Sequence, residues 1–277
     1  MFNACGNAKV LSCPYHMWRY ALDGRLEHVP QHLEQFPDVK LEQWGLLRGR
    51  VEVWAGLVFV HPDANAQPLQ LWLGGLAERL KRFDTSGLQQ QVRKVFSMQA
   101  NWKFYIENHI DWLHLYFLHA KSLRDYEHDG GELQQHGPHW TSFELPRKNR
   151  AASAQARNAG MTPLPALTDE DADVGAHFVF PNLALLTNRY SFATLVVQPV
   201  GAEACEVEMR VQVMPGNEGG LFGSEDFEQV MFEDRHAAEQ LQKAARSRAF
   251  GVGPMAMGWE AAIASFHASY RHHLGIA

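Results

Sequence analysis

Cysteine is scarce in this chain of 277 residues, and its three copies, Cys5, Cys13 and Cys205, cannot all pair with one another. A disulfide-stapled secreted scaffold is therefore excluded, and the pattern favours reduced thiols or metal ligands. Long apolar runs are also missing, because a membrane span needs roughly 18 such residues and the runs here are strand-sized. The first residues lack the basic-then-apolar pattern of a secretory signal. We therefore expect a cytoplasmic protein without a membrane partner.

An excess of basic residues is absent as well. The chain has 25 Lys and Arg against 31 Asp and Glu, which gives a net charge of −6. No nucleic-acid partner is expected from this balance. With 46% hydrophobic and 20% charged residues, the composition is that of a globular protein. Histidine is the abundant exception, with 15 copies.

The sequence pattern changes near residue 65, about a quarter of the way along the chain. Residues 1–65 contain short strand-like runs and turn signals, whereas residues 66–277 mix helical periodicity with alternating strands. We predict one helix over 101–118, a long loop or lid over 125–173, and late amphipathic helices. The fold class is therefore α+β, with helices against an antiparallel sheet.

The N-terminal part carries a cysteine and a histidine two residues apart, in the sequence Cys13-Pro-Tyr-His16. On a tight loop both side chains can face one metal, and thiolate with imidazole suits zinc or a Rieske cluster. Without further context, a buried thiol beside a surface histidine is the more common explanation of such a pair.

A second histidine pair lies in the predicted helix. His114 and His119 are five residues apart, so on a regular helix they point about 140° away from each other. They can share a metal only if the helix bends or ends between them. Asp111, three residues before His114, is placed to hydrogen-bond its imidazole and fix the tautomer. Histidines with a purely structural role remain the alternative.

A carboxylate is needed to turn two histidines into a facial triad with open ligand positions. The segment 232–242, FEDRHAAEQLQ, offers Glu233 and Asp234. Taken alone, this segment is typical of a solvated acidic helix face.

Taken together and in this order, the motifs closely resemble those of Rieske non-haem iron oxygenase alpha subunits, the aromatic-ring hydroxylating family. The resemblance rests on NWKFYIENHIDWLHLYFLH at 101–119, on the acidic segment 232–242, and on CGNAKVLSCPYHMWRYALDGRL near the start. It implies a mononuclear ferrous iron held by His114, His119 and Asp234. Asp234 is preferred over Glu233 because its offset to a later glutamate, Glu239, matches the family.

The same resemblance implies further site residues. Asp111 falls on the acidic position thought to connect the cluster of one subunit with the iron of its neighbour, and it is the expected catalytic residue. Cys13 and His16 fall on the second half of a [2Fe–2S] ligand set. The first Cys-x-His pair of the family has no counterpart here, Met17 stands where the family usually has glycine, and Leu113 replaces a tyrosine. We therefore expect that Met1 is an internal methionine of a longer reading frame, or that the chain is a fragment.

The fold implied by the resemblance is a truncated Rieske β-domain (1–65) followed by a helix-grip catalytic domain (66–277), in a homotrimer. The implied activity is monooxygenase or dioxygenase chemistry on an organic, often aromatic, substrate: hydroxylation, dihydroxylation or oxidative demethylation. Electrons are expected from NAD(P)H through a separate reductase or ferredoxin and the [2Fe–2S] cluster. Because the cluster ligand set is incomplete, we expect this chain to hold the mononuclear iron and not to turn over with a reductase.

Two other functions fit parts of the sequence. Loss of the electron entry point favours a non-catalytic ligand-binding protein on the same helix-grip scaffold. A zinc hydrolase could use the same two histidines and aspartate, with Glu107 as a possible general base.

Overall fold

Two units divide the chain in this computed structural model, Met1–Pro68 and Leu69–Ala277. The structure describes residues 6–123, 126, 135–145, 160–168, 174–218, 220–256 and 258–276. None of the helices in these described ranges is long and apolar enough to cross a bilayer.

The first unit begins with a small antiparallel sheet in the order β1-β2-β3. Its strands are β1 (Leu11–Ser12), β2 (Arg19–Tyr20) and β3 (Leu26–His28). The turn between β2 and β3 lies at Asp23-Gly24. Gly24 has φ +87, a left-handed conformation that glycine adopts without strain.

A second hairpin completes the first unit, with β4 (Arg50–Trp54) paired to β5 (Leu57–His61). The two residues between the strands, Ala55 and Gly56, have φ of 51 and 75. Positive φ at both positions is typical of the two-residue turn that matches the twist of paired strands. A short helix, α1 (His32–Gln35), precedes this hairpin.

The second unit is built on a seven-stranded antiparallel sheet in the order β6-β12-β11-β10-β9-β8-β7. Its strands are β6 (Gln89–Met98), β7 (Gln135–Gly137), β8 (Trp140–Leu145), β9 (Val174–Val179), β10 (Leu183–Thr187), β11 (Ser191–Gly201) and β12 (Ala204–Val213). Strand β12 shows the predicted alternation, since Val207, Met209 and Val211 are fully buried while the residues between them are more exposed.

The prediction of a continuous loop over 125–173 is wrong where β7 and β8 lie. Three successive residues of β8, Thr141, Ser142 and Phe143, are all buried, at 3%, 0% and 2% exposure. A strand buried on both faces has no apolar–polar alternation, so its sequence carries no period-two signal. Apart from Tyr126 and 160–168, the rest of the predicted loop lies outside the described residues.

Six α-helices are described in the second unit. They are α2 (Leu69–Leu73), α3 (Gly75–Arg79), α4 (Trp102–Ile110), α5 (Leu113–Phe117), α6 (Glu225–Ala245) and α7 (Ala261–Leu274). Helix α4 packs across β9, β11 and β12 and contacts both α6 and α7. Phe227, Val230 and Met231 of α6 enter the same apolar core. Each such buried side chain contributes roughly 1.5–3 kcal/mol to folding. This packing fixes α6 beside α4.

The predicted single helix over 101–118 is broken in the structure at Asp111. Its backbone is extended (φ −76, ψ 136), and α4 ends there. The carboxylate accepts hydrogen bonds from the backbone N–H of Leu113, at 3.0 Å, and of His114, at 2.9 Å. Asp111 thus satisfies two of the free N–H groups at the start of α5, which stabilises a new helix after the break. Helical periodicity alone could not reveal this break.

A buried histidine, His177, lies on β9 with 2% exposure. Its Nδ1 is 2.9 Å from the Ser142 hydroxyl and its Nε2 is 2.9 Å from the Thr187 hydroxyl. Burial lowers the pKa of His177 to about 3, so the ring is neutral and one nitrogen donates while the other accepts.

The neutral His177 makes the second unit sensitive to acid. Below about pH 6.5 the unfolded chain binds a proton at this position and the folded chain does not, so the free energy of unfolding falls by up to about 1.4 kcal/mol per pH unit. When the pH is lowered from about 7.5 to about 5, the free energy of unfolding of His177→Gln is expected to fall by about 2 kcal/mol less than that of the parent. Urea unfolding at the two pH values measures this difference. His236→Gln, at an exposed position, serves as the control. Equal pH dependence in parent and His177→Gln would contradict the assignment.

Candidate metal centre

The break at Asp111 and the end of α5 bring two histidines together. Helix α5 ends at Phe117, so His119 lies beyond it and is not constrained to the helical direction of His114. The two imidazole rings have centroids 5.0 Å apart. For the two histidines to share a metal, the helix has to bend or end between them, and it ends between them.

Helix α6 supplies a carboxylate to the same point. Asp234 Oδ1 lies 2.9 Å from His119 Nε2 and 3.8 Å from His114 Nε2. Each of the three residues offers one ligand atom, and these atoms all lie within 4.8 Å of one another. Across the described ranges, no other group of three or more His, Cys, Asp or Glu meets this condition. The structure thus brings together the three residues predicted from sequence as metal ligands.

Carboxylates also hold the far side of both rings. His114 Nδ1–H donates to Asp111 Oδ2 at 3.1 Å, as the sequence predicts. His119 Nδ1–H donates to Glu233 Oε2 at 2.7 Å. The carboxylate of Glu233, the competing ligand candidate, therefore contacts Nδ1 of His119, on the opposite edge of the ring from the carboxylate of Asp234. In both rings Nε2 is the nitrogen that faces Asp234.

Burial and ion pairing act against each other at this site. Burial disfavours ionisation of Asp234, but its hydrogen bond to His119 and the nearby imidazoles outweigh burial and hold its pKa below the usual value. Burial likewise disfavours a charged His119, yet Asp234 and then Glu233 raise its pKa. The group therefore favours a positive charge between two carboxylates.

The donor set fits a divalent metal ion. Ligand atoms bound side by side to one ion at about 2.1 Å lie roughly 3 Å apart. The separation of 2.9 Å between Asp234 and His119 agrees with this value, and the separation of 3.8 Å between Asp234 and His114 is longer. Two imidazoles with one carboxylate are the donors of mononuclear non-haem iron sites. His119 and Asp234 are 1% and 8% exposed, so solvent competes little with an ion there.

The position of Asp234 depends on two further residues of α6 that the sequence marked only as a pattern. Glu239 Oε1 accepts from the backbone N–H of Gln99 at 3.0 Å, and Gln242 Oε1 accepts from the backbone N–H of Asn101 at 2.9 Å. These bonds attach α6 to the segment between β6 and α4. They fix the register of α6 along α4, and hence the height of Asp234 opposite the histidines.

A cavity opens onto the three donor atoms. It has about 580 Å³ of space free of protein atoms, counting its open mouth. Aromatic and aliphatic side chains form most of its described wall, namely Tyr105, Leu115, Leu123, Phe143, Val174, Ala176, Leu186, Leu221, Phe222, Phe227, Val230 and Met231. Apart from the metal-site residues, the described lining residues with polar groups are Asn108, His109 and Tyr105, through its hydroxyl. Neither lysine nor arginine is among the described lining residues.

Asn108 and His109 are already engaged in hydrogen bonds. Asn108 Nδ2 donates to Asp234 Oδ1 at 2.7 Å. His109 Nε2–H donates to the carbonyl of His177 at 3.0 Å. Burial lowers the pKa of His109 to about 4, so its ring is neutral.

Glu107, the base considered for a hydrolase, is absent from the described cavity wall. Its Oε1 accepts from Nε2–H of His267 on α7, at 2.8 Å. This geometry removes the support for a hydrolytic role of Glu107.

In the first unit, the loop between β1 and β2 presents Cys13 and His16. Backbone N–H groups of Tyr15 and then His16 hydrogen-bond Cys13 and lower the pKa of its thiol, which favours the thiolate form that binds metals. Met17 has φ +58, the left-handed conformation that explains glycine at this position in the family. A Rieske cluster needs two cysteines and two histidines, and this loop supplies one of each.

Two family models match the chain. Residues 78–276 match the family described as ring hydroxylating alpha subunit (catalytic domain). Residues 2–41 match the Rieske [2Fe-2S] domain.

Curated relatives include oxygenases of two kinds. The chain is 37% identical over 111 residues to biphenyl 2,3-dioxygenase subunit alpha of Rhodococcus jostii, a match of 37% of this chain and 23% of that protein. It is 25% identical over 289 residues to the chloroplastic choline monooxygenase of Amaranthus tricolor, covering 95% of this chain. The chain spans 59% of the length of that monooxygenase.

Solved structures show the same fold. A quaternary ammonium Rieske monooxygenase superposes with a TM-score of 0.71 at 20% identity, over 99% of this chain and 74% of that one. Naphthalene 1,2-dioxygenase with indole bound superposes with a TM-score of 0.68 at 23% identity, over 97% of this chain and 74% of that one.

The contribution of the hydrogen bond between Gln242 and the backbone N–H of Asn101 to stability is testable. Gln242→Ala leaves the backbone N–H of Asn101 without its acceptor and is expected to lower the free energy of unfolding by about 1–3 kcal/mol. Gln240→Ala, two residues away at an exposed position, is expected to change it by no more than about 0.5 kcal/mol. Urea unfolding of both variants measures the difference. Equal effects would show that the bond does not hold α6.

Proposed function

The chain belongs to the family of ring-hydroxylating alpha subunits, and from this premise we propose that it is an oxygenase with a mononuclear non-haem iron at His114, His119 and Asp234. The observation that carries the proposal is the convergence of three donor atoms within 4.8 Å at an apolar cavity. Ferrous iron bound by such a set supplies O2 activation for oxidation of an organic substrate.

The protein's own contribution is to orient the ligands and to exclude water. Asp111 and Glu233 hold the two imidazoles at Nδ1, and Asn108 holds Oδ1 of Asp234. The apolar wall keeps bulk water from the donor atoms and contacts the substrate. Two imidazoles and one carboxylate leave other ligand positions free for O2 beside the substrate.

Electron delivery is proposed in the form that the family implies. A separate reductase or ferredoxin, using NAD(P)H, supplies electrons in a homotrimer, and Asp111 is the proposed connection between subunits. The Asp111 carboxylate is hydrogen-bonded to His114 and is 17% exposed, which suits a group between the site and its surroundings. Because the Cys13–His16 loop supplies half of a Rieske ligand set, no step is assigned to a cluster held by this loop alone.

The cavity wall favours an uncharged, apolar substrate. Whole-length similarity to choline monooxygenase points towards quaternary ammonium compounds, whereas the shorter and more identical matches include both a biphenyl dioxygenase and a carnitine monooxygenase. A carboxylated betaine needs a cationic partner, and no lysine or arginine lies in the described cavity wall. The aromatic and aliphatic wall instead matches an arene in chemistry. The proposed reaction is hydroxylation or dihydroxylation of such a substrate.

Metal content tests the ligand set. Protein purified without oxygen and loaded with Fe(II) is expected to hold about one iron at this site, and His114→Ala, His119→Ala and Asp234→Ala are each expected to abolish its retention. His236→Ala, which removes an exposed histidine from α6, should keep the iron. Elemental analysis after gel filtration measures this content.

Three outcomes would contradict the proposal. Retention of zinc in preference to iron would favour the hydrolase, and absence of any metal would favour the ligand-binding protein. Iron retained in all three ligand variants would place the metal elsewhere.

Substrate class is tested by binding to the iron-loaded protein. Biphenyl is expected to bind, whereas L-carnitine, which carries a carboxylate, is expected to show no saturable binding. Val230→Phe adds bulk inside the cavity and is expected to weaken biphenyl binding at least tenfold, by overpacking. Val95→Phe, at a position 46% exposed, is the matched control. Binding of choline or carnitine in preference to biphenyl would overturn the assigned class.

A further inference from the structure

Two adjacent carboxylates of α6 contact opposite nitrogens of one imidazole. Asp234 Oδ1 is 2.9 Å from His119 Nε2, and Glu233 Oε2 is 2.7 Å from His119 Nδ1. The ring is 1% exposed, so no solvent competes for either nitrogen. Successive residues of a helix point about 100° apart, which lets this pair reach around both edges of the ring.

Glu233 is itself held in place through both of its oxygens. The Ser122 hydroxyl donates to Oε2 at 2.6 Å, and Gln229 Nε2 donates to Oε1 at 3.0 Å. Ser122 follows His119 by one turn of chain, and Gln229 precedes Glu233 by one turn of α6. These bonds hold the carboxylate of Glu233 in one position beside His119.

The two histidines are held in different ways. The carboxylate that holds His114 comes from its own segment, and Asp111 also accepts backbone N–H bonds there. The carboxylate that holds His119 comes from another element, α6, which also carries Asp234. Glu233 therefore couples the orientation of His119 to the placement of Asp234.

We propose that Glu233 is a positioning residue for the metal centre: it keeps the proton of His119 on Nδ1 and directs the Nε2 lone pair to the metal, with Ser122 supporting it. This inference rests on the proposed iron site and adds a residue to it. A carboxylate bonded to the distal nitrogen orients the ring and increases its basicity as a ligand.

The test uses Co(II) bound to the whole chain as a spectroscopic substitute for iron. Glu233→Ala is expected to weaken Co(II) binding roughly 10- to 100-fold in a titration followed by visible absorption. Glu233→Gln keeps an oxygen acceptor for Nδ1–H and is expected to recover most of this loss. Ser122→Ala is expected to fall between the parent and Glu233→Ala. Glu225→Gln removes a negative charge from an exposed position of the same helix and should bind as the parent does.

Proton NMR of the Co(II) protein reads the tautomer directly. The parent is expected to show two strongly shifted resonances that disappear in D2O, one from Nδ1–H of each histidine. Glu233→Ala is expected to lose one of them through faster exchange with water, and Asp111→Ala the other. A role limited to folding would lower the melting temperature of the metal-free protein while leaving affinity and both resonances unchanged.

The outcomes separate this inference from the proposed function. If the parent does not bind Co(II), the metal site itself is wrong. If the parent binds Co(II), and Glu233→Ala binds it with the same affinity and keeps both resonances, the positioning role of Glu233 is wrong and the metal site stands.

Discussion

The pairing of Asp234 with His119 is the constraint on which the rest of the site depends. It joins α6 to the segment after α5, across a sequence separation of more than a hundred residues. A buried carboxylate is costly unless it is paired and hydrogen-bonded. Asn108 and the two imidazoles supply that pairing, so α6, α4 and the α5 segment must be placed together for any of them to be stable.

The arrangement explains how a polar centre persists at an apolar cavity. Each imidazole has its distal nitrogen bonded to a carboxylate, and each of these carboxylates has further donors. Polar groups are therefore satisfied on the side away from the cavity, while Nε2 and Oδ1 converge on one point. A divalent cation at that point would offset the negative charge of the carboxylates around it. The apolar wall faces the same cavity.

Sequence alone predicted the donors but not their support. His114, His119 and Asp234 belong to a recognisable pattern, and the need for a helix end between the two histidines follows from helical geometry. The break at Asp111 depends on side-chain capping, which apolar periodicity does not encode. Glu233 could only be seen as a competing ligand, because which side of His119 it occupies depends on the packing of α6 against α4. The roles of Glu239 and Gln242 depend equally on that packing, since both accept hydrogen bonds from backbone N–H groups distant in sequence.

Strand β8 was not predicted from the sequence because it is buried on both faces and its residues do not alternate between apolar and polar.

The most direct measurement of the central claim is the position of iron in crystals grown without oxygen, from anomalous diffraction at the iron edge. If His114, His119 and Asp234 bind the iron, an anomalous peak is expected within about 2.2 Å of His114 Nε2, His119 Nε2 and a carboxylate oxygen of Asp234. A peak bonded to Glu233 or to an Nδ1 atom would contradict the proposed ligand geometry. Iron bound elsewhere, with none between these three residues, would contradict the proposed site altogether.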